Sequence, residues 1–215
     1  MKLITFDWEG TLVDFQWALE DAVKETTALL HEHKIPASFE DMDYAAIYNL
    51  ILTMEEDWGY QKGSLITLVD QIYDRYDLDA ASRWVLCEEL KSTITALKGY
   101  KLALVSNIGR RGIDKILKLH GLEEAFGLIL TRNEVPGLKP HPGGLLKAIA
   151  WAGAGKDETL HIGDSLSDLY AARNAGVKIG VVLGGQNTAE TLLREKPDLV
   201  MEKLKNLPSR IEEFL

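Results

Sequence analysis

The sequence is poorest in cysteine, and this scarcity excludes two classes of site. Cys87 is the only cysteine among 215 residues. An intrachain disulfide framework and a zinc site built from cysteines are therefore both excluded within one chain. Basic residues are also in deficit, because 33 acidic residues stand against 24 lysines and arginines and give a formal net charge of -9. A non-specific nucleic-acid binder needs a basic surface, so we expect no nucleic-acid partner.

Long hydrophobic runs are absent as well. No apolar stretch approaches the length of a membrane-spanning helix, and Asp7 interrupts the first one too early for the apolar core of a signal peptide. We therefore expect no membrane association and a cytoplasmic location. The composition, 46% hydrophobic and 27% charged, is ordinary for a globular protein, and the length suffices for one sizeable core with a smaller inserted domain.

Short apolar runs alternate with amphipathic segments over most of the chain. The runs predict strands at residues 2–6, 101–105, 127–131, 159–163, 178–183 and 198–201. Residues 15 to about 90 instead repeat their apolar positions at helical spacing. Among others, a helix is predicted at 38–58 with Ser38 as its N-cap, and another at 80–97 with Trp84 and Leu90 facing inward. Strands that alternate with helices predict an α/β fold, a parallel Rossmann-like sheet flanked by helices. The helical block lies as an insertion after the first strand.

Polar residues suited to phosphate chemistry stand at the ends of several predicted strands. Asp7, Ser106 and Asp164 each follow a strand, and Lys139 lies in the loop after another. Because the carboxyl ends of parallel strands meet at one edge of a sheet, we expect these side chains to converge. Ser106 and Lys139 have the hydroxyl and the positive charge that phosphoryl oxygens require.

Carboxylates accompany the same strand ends, namely Asp7, Glu9, Asp164 and Asp168. Such close carboxylates repel one another without a cation, and together they form an oxygen-rich set that suits Mg²⁺. For Asp168, a second interpretation is an acid that stabilises the first turn of a helix. Four carboxylates at neighbouring strand ends therefore favour a bound Mg²⁺ ion.

Four motifs occur in order along the chain: DWEGT at residues 7–11, VSN at 105–107, LKP at 138–140 and GDSLSD at 163–168. With these motifs the sequence resembles the haloacid dehalogenase-like superfamily of hydrolases, and among them the phosphoglycolate phosphatase-like members. The resemblance implies a Mg²⁺-dependent phosphatase that acts on a small phosphorylated metabolite. It also implies a catalytic core of residues 1–14 and 91–215 and a helical cap of residues 15–90.

The resemblance assigns a role to each motif residue. Asp7 is the expected nucleophile, which forms an aspartyl-phosphate, and Glu9 is the expected acid/base catalyst. The side chains expected to hold the phosphoryl group of the substrate are those of Ser106, Asn107 and Lys139. The expected Mg²⁺ ligands are the Asp7 carboxylate, the Glu9 backbone carbonyl and Asp164, and Asp168 is expected either to ligate the ion or to orient a water molecule bound to it. A monomer or a homodimer is compatible with this reading.

Glu9 departs from the family pattern, in which phosphatases usually carry aspartate at this position. One extra methylene displaces the carboxyl group by about 1.5 Å, and a displacement of order 1 Å can cost roughly 100-fold in rate. The resemblance thus predicts intact Mg²⁺ binding with slow hydrolysis. Two alternatives remain open: a weakly active or inactive phosphate- or metal-binding relative, and a phosphomutase of the same fold.

Overall fold

The computed structural model describes residues 2–213 and is built on one parallel sheet. Within this part of the chain, six strands lie in the order β3-β2-β1-β4-β5-β6, and every neighbouring pair is parallel. The strands are Leu3–Phe6 (β1), Lys101–Val105 (β2), Leu128–Leu130 (β3), Thr159–Gly163 (β4), Lys178–Val182 (β5) and Leu199–Met201 (β6). The predicted α/β fold is confirmed, and each strand lies within its predicted run.

The first strand lies near the centre of the sheet, and its pairing with its two neighbours aligns the carboxyl ends of the three strands. All of its residues are buried, as expected for a parallel sheet covered on both faces. Phe6 pairs with Leu104 of β2 and with Ile162 of β4. The residues that follow these three strands therefore emerge side by side at one edge.

Helices cover both faces of the sheet. In the described chain the α-helices are Leu19–Glu32 (α1), Tyr44–Met54 (α2), Ser64–Ala81 (α3), Leu90–Ala96 (α4), Arg110–His120 (α5), Gly143–Ala152 (α6), Leu166–Ala175 (α7), Ala189–Arg194 (α8) and Leu207–Arg210 (α9). Leu145 of α6 and Leu169 of α7 belong to the core on one face, and Ile113 of α5 belongs to the core on the other. None of the helices described is long and apolar enough to cross a membrane.

Helices α1, α2 and α3 form the predicted insertion between β1 and β2. They pack against one another, and α3 also packs along α5 of the sheet layer. The chain enters and leaves the insertion through two segments, residues 12–14 and 85–87, which run side by side. The Asp14 N–H donates to the Val85 carbonyl (3.1 Å), and the Cys87 N–H donates to the Leu12 carbonyl (2.9 Å). We call these two segments the paired connections.

The predicted helix at residues 80–97 is wrong. Helix α3 ends at Ala81, and α4 begins only at Leu90. The segment between them includes one of the paired connections, so its backbone hydrogen bonds go to residues 12–14 instead of to a helix. Glu89, immediately before α4, has a positive φ of 60°, which ends any continuous helical path. Apolar spacing predicted the burial of Trp84 and Leu90, and both are buried.

Helix α2 is shorter than the predicted span of residues 38–58. It begins at Tyr44, because the Asp43 side chain accepts a hydrogen bond from the Ala46 N–H (2.7 Å) and caps the helix, whereas the prediction placed the cap at Ser38. The division into a core of residues 1–14 and 91–215 and a cap of residues 15–90 remains a prediction. Helix α4 packs against α9.

Candidate active site

Three carboxylates meet at the carboxyl edge of the sheet. Asp7 follows β1, Asp164 follows β4 and Asp168 lies in the first turn of α7, and oxygen atoms of all three lie within 4.8 Å of one another. All three residues are buried. Gly10 and Gly185 make room for Asp164, since a Cβ on either would come within 2.2 Å of its carboxylate. Buried carboxylate oxygens at this spacing fit a divalent cation such as Mg²⁺.

Lys139 places a positive charge against two of these acids. Its Nζ lies 2.5 Å from Asp7 Oδ1 and 2.5 Å from Asp168 Oδ1, and the lysine is buried. Burial by itself favours the neutral amine, but the two carboxylates outweigh it and hold the pKa of Lys139 above its usual value. The ammonium group therefore stays charged where a phosphoryl group is expected.

The electrostatic environment differs from one acid to the next. Burial raises the pKa of Asp7, although Lys139 opposes the shift. Burial raises the pKa of Asp164 well above its usual value, and the neighbouring carboxylates add to this effect. Burial also penalises the Asp168 carboxylate, but Lys139 and His161 outweigh it and hold the pKa of Asp168 well below its usual range. Asp164, which forms no ion pair within the described residues, is the position where a cation is most needed.

Asp168 is fixed by reciprocal hydrogen bonds at the start of α7. Its Oδ2 accepts from the N–H groups of Asp164 (3.2 Å) and Ser165 (3.1 Å) and from the Ser165 hydroxyl (2.5 Å). The Ser165 hydroxyl oxygen in turn accepts from the Asp168 N–H (3.2 Å), which completes a capping box. The helix-start and functional interpretations of Asp168 are therefore compatible, because one carboxylate caps the helix and pairs with Lys139.

His161 is a member of this network that sequence reasoning left without a role. Its Nε2 lies 3.1 Å from Asp168 Oδ1, and its Nδ1 lies 2.9 Å from the Thr5 hydroxyl. Thr5 and His161 are paired in register on β1 and β4, and both are fully buried. Two polar residues at corresponding positions of two buried strands are the signal that could have revealed this contact.

Asn107 connects the end of β2 to the Lys139 loop. Its Oδ1 accepts from the Lys139 N–H (2.8 Å), and its Nδ2 donates to the Lys139 carbonyl (3.1 Å) and to the Tyr44 hydroxyl (3.0 Å). Tyr44, at the start of α2, was missed because an aromatic residue at a helix end carries no functional signal in sequence. The phosphate contacts of Ser106, Asn107 and Lys139 remain predictions.

Glu9 lies in the turn after β1, and residues from both ends of the insertion hold its carboxyl group. Its Oε1 accepts from the Gln16 N–H (2.8 Å) and from the Trp84 indole Nε1–H (2.7 Å). Burial raises the pKa of Glu9 to about 7, although these two hydrogen bonds oppose the shift. An acid that titrates near neutrality can donate and accept a proton at physiological pH, as an acid/base catalyst must.

A small cavity of about 30 Å³ connects these groups. This volume holds about two water molecules. The insertion closes it with Phe15 and Tyr44, while Asp7, Glu9 and Lys139 line its other side. The turn at residues 58–64 of the insertion does not line this cavity. Larger cavities of about 520 and 440 Å³ lie away from the carboxylates.

Arg132, in the loop after β3, anchors the insertion and was also missed. Its guanidinium is buried and pairs with Asp70 (2.8 Å), Asp74 (2.5 Å) and Asp77 (2.8 Å) of α3. Asp77 also accepts from the Gly109 N–H (2.9 Å), in the loop that follows Asn107. The spacing of the three acids at i, i+4 and i+7 places them on one helix face, and that spacing was readable in the sequence. We call these four charged residues the Arg132 cluster.

Known proteins resemble this chain over nearly its whole length. The family model of the haloacid dehalogenase-like hydrolases matches residues 1–176. A phosphoglycolate phosphatase of Haemophilus influenzae is 30% identical over 220 residues, which cover 96% of each chain. The pyrophosphatase PpaX of Bacillus cereus is 34% identical over 225 residues, which cover 96% of this chain and 94% of that one.

The fold is also found among solved structures. A hydrolase of the same superfamily, subfamily IA, from Geobacter sulfurreducens superposes with a TM-score of 0.61, covers 100% of both chains and is 21% identical. At this identity the likeness concerns the fold alone. It agrees with the parallel sheet.

Proposed function

The chain belongs to the haloacid dehalogenase-like hydrolases, and from this premise we propose a Mg²⁺-dependent phosphatase that hydrolyses a small phosphorylated metabolite through an aspartyl-phosphate. One observation carries the proposal: a buried lysine and three buried acids converge at the end of the central strand. Homologues named as phosphatases support the reaction class.

In the first half-reaction Asp7 is the nucleophile. One of its carboxylate oxygens bonds to phosphorus while the bond between phosphorus and the leaving oxygen breaks. Lys139, 2.5 Å from Asp7 Oδ1, opposes the rise that burial causes in the pKa of this carboxylate and stabilises charge on the phosphoryl oxygens. Glu9 donates its proton to the leaving oxygen, a role that its pKa of about 7 supports.

In the second half-reaction water attacks the phosphorus of the aspartyl-phosphate. Glu9, now ionised, takes a proton from this water, the bond between Asp7 and phosphorus breaks, and inorganic phosphate leaves. The reaction regenerates the Asp7 carboxylate and the protonated Glu9. A cavity with room for about two water molecules supports restricted access of solvent during this step.

The proposed Mg²⁺ ligands are the carboxylates of Asp7 and Asp164 together with the Glu9 backbone carbonyl. When bound, Mg²⁺ supplies charge neutralisation of the phosphoryl oxygens. The raised pKa of Asp164, caused by burial beside two other acids, supports a cation at this position. Asp168, already occupied by Lys139 and the α7 cap, is proposed to orient the site more than to ligate directly.

The names of the relatives favour a small phosphate ester or pyrophosphate as substrate. The small cavity beneath the insertion supports a small molecule over a phosphoprotein. We propose that residues 15–90 act as a cap that moves aside for substrate entry, since a phosphate ester exceeds the present space. A cytoplasmic location and a monomeric or homodimeric state remain predictions.

Release of inorganic phosphate tests the proposal. The purified protein is assayed with phosphoglycolate, pyrophosphate and glycerol phosphate in Mg²⁺, and again after addition of a chelator. We expect release by the wild type to exceed that of Asp7→Asn by about 100-fold or more and to disappear with chelator. Asp157→Asn, which alters an exposed loop acid, serves as the matched control. Equal release by Asp7→Asn, or release that persists in chelator, contradicts the proposal.

A further inference from the structure

Trp84 contacts the proposed acid/base catalyst from outside the sheet. It lies between α3 and α4, and its buried indole donates from Nε1 to Glu9 Oε1 at 2.7 Å. The Gln16 N–H donates to the same oxygen at 2.8 Å. Gln16 follows the first of the paired connections, and Trp84 precedes the second. Residues next to both paired connections therefore hold this oxygen in position.

The indole is itself held in place by packing. Its ring meets the ring of Trp8 edge-on, with centroids 5.8 Å apart and an interplanar angle of 75°. The backbone N–H of Trp84 donates to the Ala80 carbonyl at the end of α3 (3.1 Å). The carbonyl of the next residue, Val85, accepts a hydrogen bond from the Asp14 N–H. A side chain fixed at its backbone and at its ring presents its N–H in one direction.

The length of the acid agrees with this contact. A glutamate has one more rotatable bond than an aspartate, and an unrestrained Glu9 carboxyl group would distribute over several rotamers. The hydrogen bond from Trp84 selects one of them. An aspartate at this position would end about 1.5 Å short of the indole N–H.

We infer that Trp84 is a positioning residue for the reaction: its indole N–H orients the Glu9 carboxyl group for proton transfer to the leaving oxygen. The inference rests on the proposed function, because it assumes that Glu9 is the acid. It implies that movement of the insertion changes the orientation of the catalyst, since Trp84 lies where the insertion joins the core.

The test removes the donor and keeps the ring. Trp84→Phe retains an aromatic side chain against Trp8 and loses the N–H. Its kcat/KM, which reports the steps up to departure of the alcohol, is measured for glycerol phosphate and for p-nitrophenyl phosphate. An alkoxide needs a proton from Glu9 and a nitrophenolate does not. We expect kcat/KM for glycerol phosphate to fall by about 10-fold or more, with a much smaller change for the aryl ester.

Two further variants separate this role from a structural one. Trp17→Phe is the matched control, because Trp17 is as buried as Trp84 but its Nε1 has no hydrogen-bond partner within the described residues. We expect Trp17→Phe to leave the ratio of the two kcat/KM values unchanged. In a Glu9→Gln background, Trp84→Phe is expected to lower the ratio no further. A ratio unchanged in Trp84→Phe, or lowered equally in the Glu9→Gln background, overturns the inference.

A readout independent of turnover completes the test. In a ¹⁵N-correlated NMR spectrum, the Trp84 indole N–H is expected to shift on Glu9→Ala, while the Trp17 indole N–H stays in place. An unmoved Trp84 signal overturns the inference even if Trp84→Phe fails to fold. Absence of phosphate release by the wild type with a shifted Trp84 signal contradicts the proposed function and leaves the contact itself established.

Discussion

At the scale of single residues, two aspartates four positions apart have opposite electrostatic environments. Asp168 pairs with Lys139 and His161 and has a lowered pKa, whereas Asp164 has a raised pKa because it is buried beside other acids. The difference arises from which cation each side chain reaches, since both are buried. Lys139 compensates the charge of Asp168, whereas Asp164 pairs with no cation within the described residues.

Glu9→Asp tests whether the site requires the longer acid. We expect turnover to fall by about 10- to 100-fold, because the shorter side chain cannot reach the Trp84 indole and the Gln16 N–H from the same turn. Steady-state phosphate release measures the change, and Glu20→Asp on exposed α1 is the control. Turnover that rises in Glu9→Asp would instead support a weakly active protein in which the extra methylene of Glu9 slows hydrolysis.

The Cys87 thiol gives a prediction on pH dependence that does not involve the carboxylates of the candidate site. Burial raises the pKa of its thiol from 9.0 to about 11. The thiol ionises at a lower pH in the unfolded protein than in the folded one. Its contribution to the free energy of unfolding is therefore complete below about pH 9 and is lost as the pH rises towards about 11. At pH 8 we expect iodoacetamide to label the native protein about 100-fold more slowly than the unfolded protein. Equal labelling rates contradict this expectation, and Cys87→Ser controls for other sites.

At the scale of elements, α3 joins the insertion to the site loops through its acidic face. Asp77 accepts from Arg132 and also from the Gly109 N–H, so α3 and the loop after β2 share one buried carboxylate. A Cβ at Gly109 would lie 2.8 Å from atoms of Arg132, Asp74 and Asp77, which accounts for glycine here. The Arg132 cluster thus fixes both the helix and the loop.

Arg132→Met is expected to lower the free energy of unfolding by about 3–5 kcal/mol, because it leaves buried and half-buried carboxylates without their cation. Urea denaturation measures the loss. Arg75→Met is the control on the same helix: Arg75 pairs with Glu25 at the surface, and its removal is expected to cost less than about 1 kcal/mol. Similar losses in the two variants contradict a special role for Arg132.

At the scale of the whole molecule, the insertion touches several loops of the sheet edge. Trp84 contacts Glu9, and Tyr44 contacts Asn107. The Asn49 side chain both donates to the Leu138 carbonyl (2.8 Å) and accepts from its N–H (2.7 Å), next to Lys139. Opening of the proposed cap would break these contacts together, so substrate entry and the arrangement of the site are coupled.

Mg²⁺ is expected to change global stability through Asp164. The folded state raises the pKa of this acid, so at pH 7 its charge opposes folding, and Asp164→Asn is expected to melt higher than the wild type without Mg²⁺. At about 100 times the dissociation constant, Mg²⁺ should stabilise the wild type by about 2.7 kcal/mol and the variant much less. Thermal melts with and without Mg²⁺ measure both effects. Equal Mg²⁺ stabilisation of the two proteins contradicts Asp164 as a ligand.

The order of residues along the chain was enough to predict the sheet and the residues at its edge. Each strand is a short apolar run, and Asp7, Ser106 and Asp164 follow strands whose parallel order brings them together. Local patterns suffice here, because burial of a strand depends on its own apolar side chains and the sheet edge follows from strand direction.

Contacts between side chains that are distant along the chain became visible only in the folded structure. Trp84 and Glu9 are 75 positions apart, and Arg132 and Asp77 are 55 apart. Apolar periodicity predicted that Trp84 is buried, but periodicity reports how buried a position is and not which partner it contacts. The segment at residues 82–89 shows the same limit, because its extended pairing with residues 12–14 overrode a local helical pattern. The acid at position 9 could be read from the sequence, whereas its orientation required the fold.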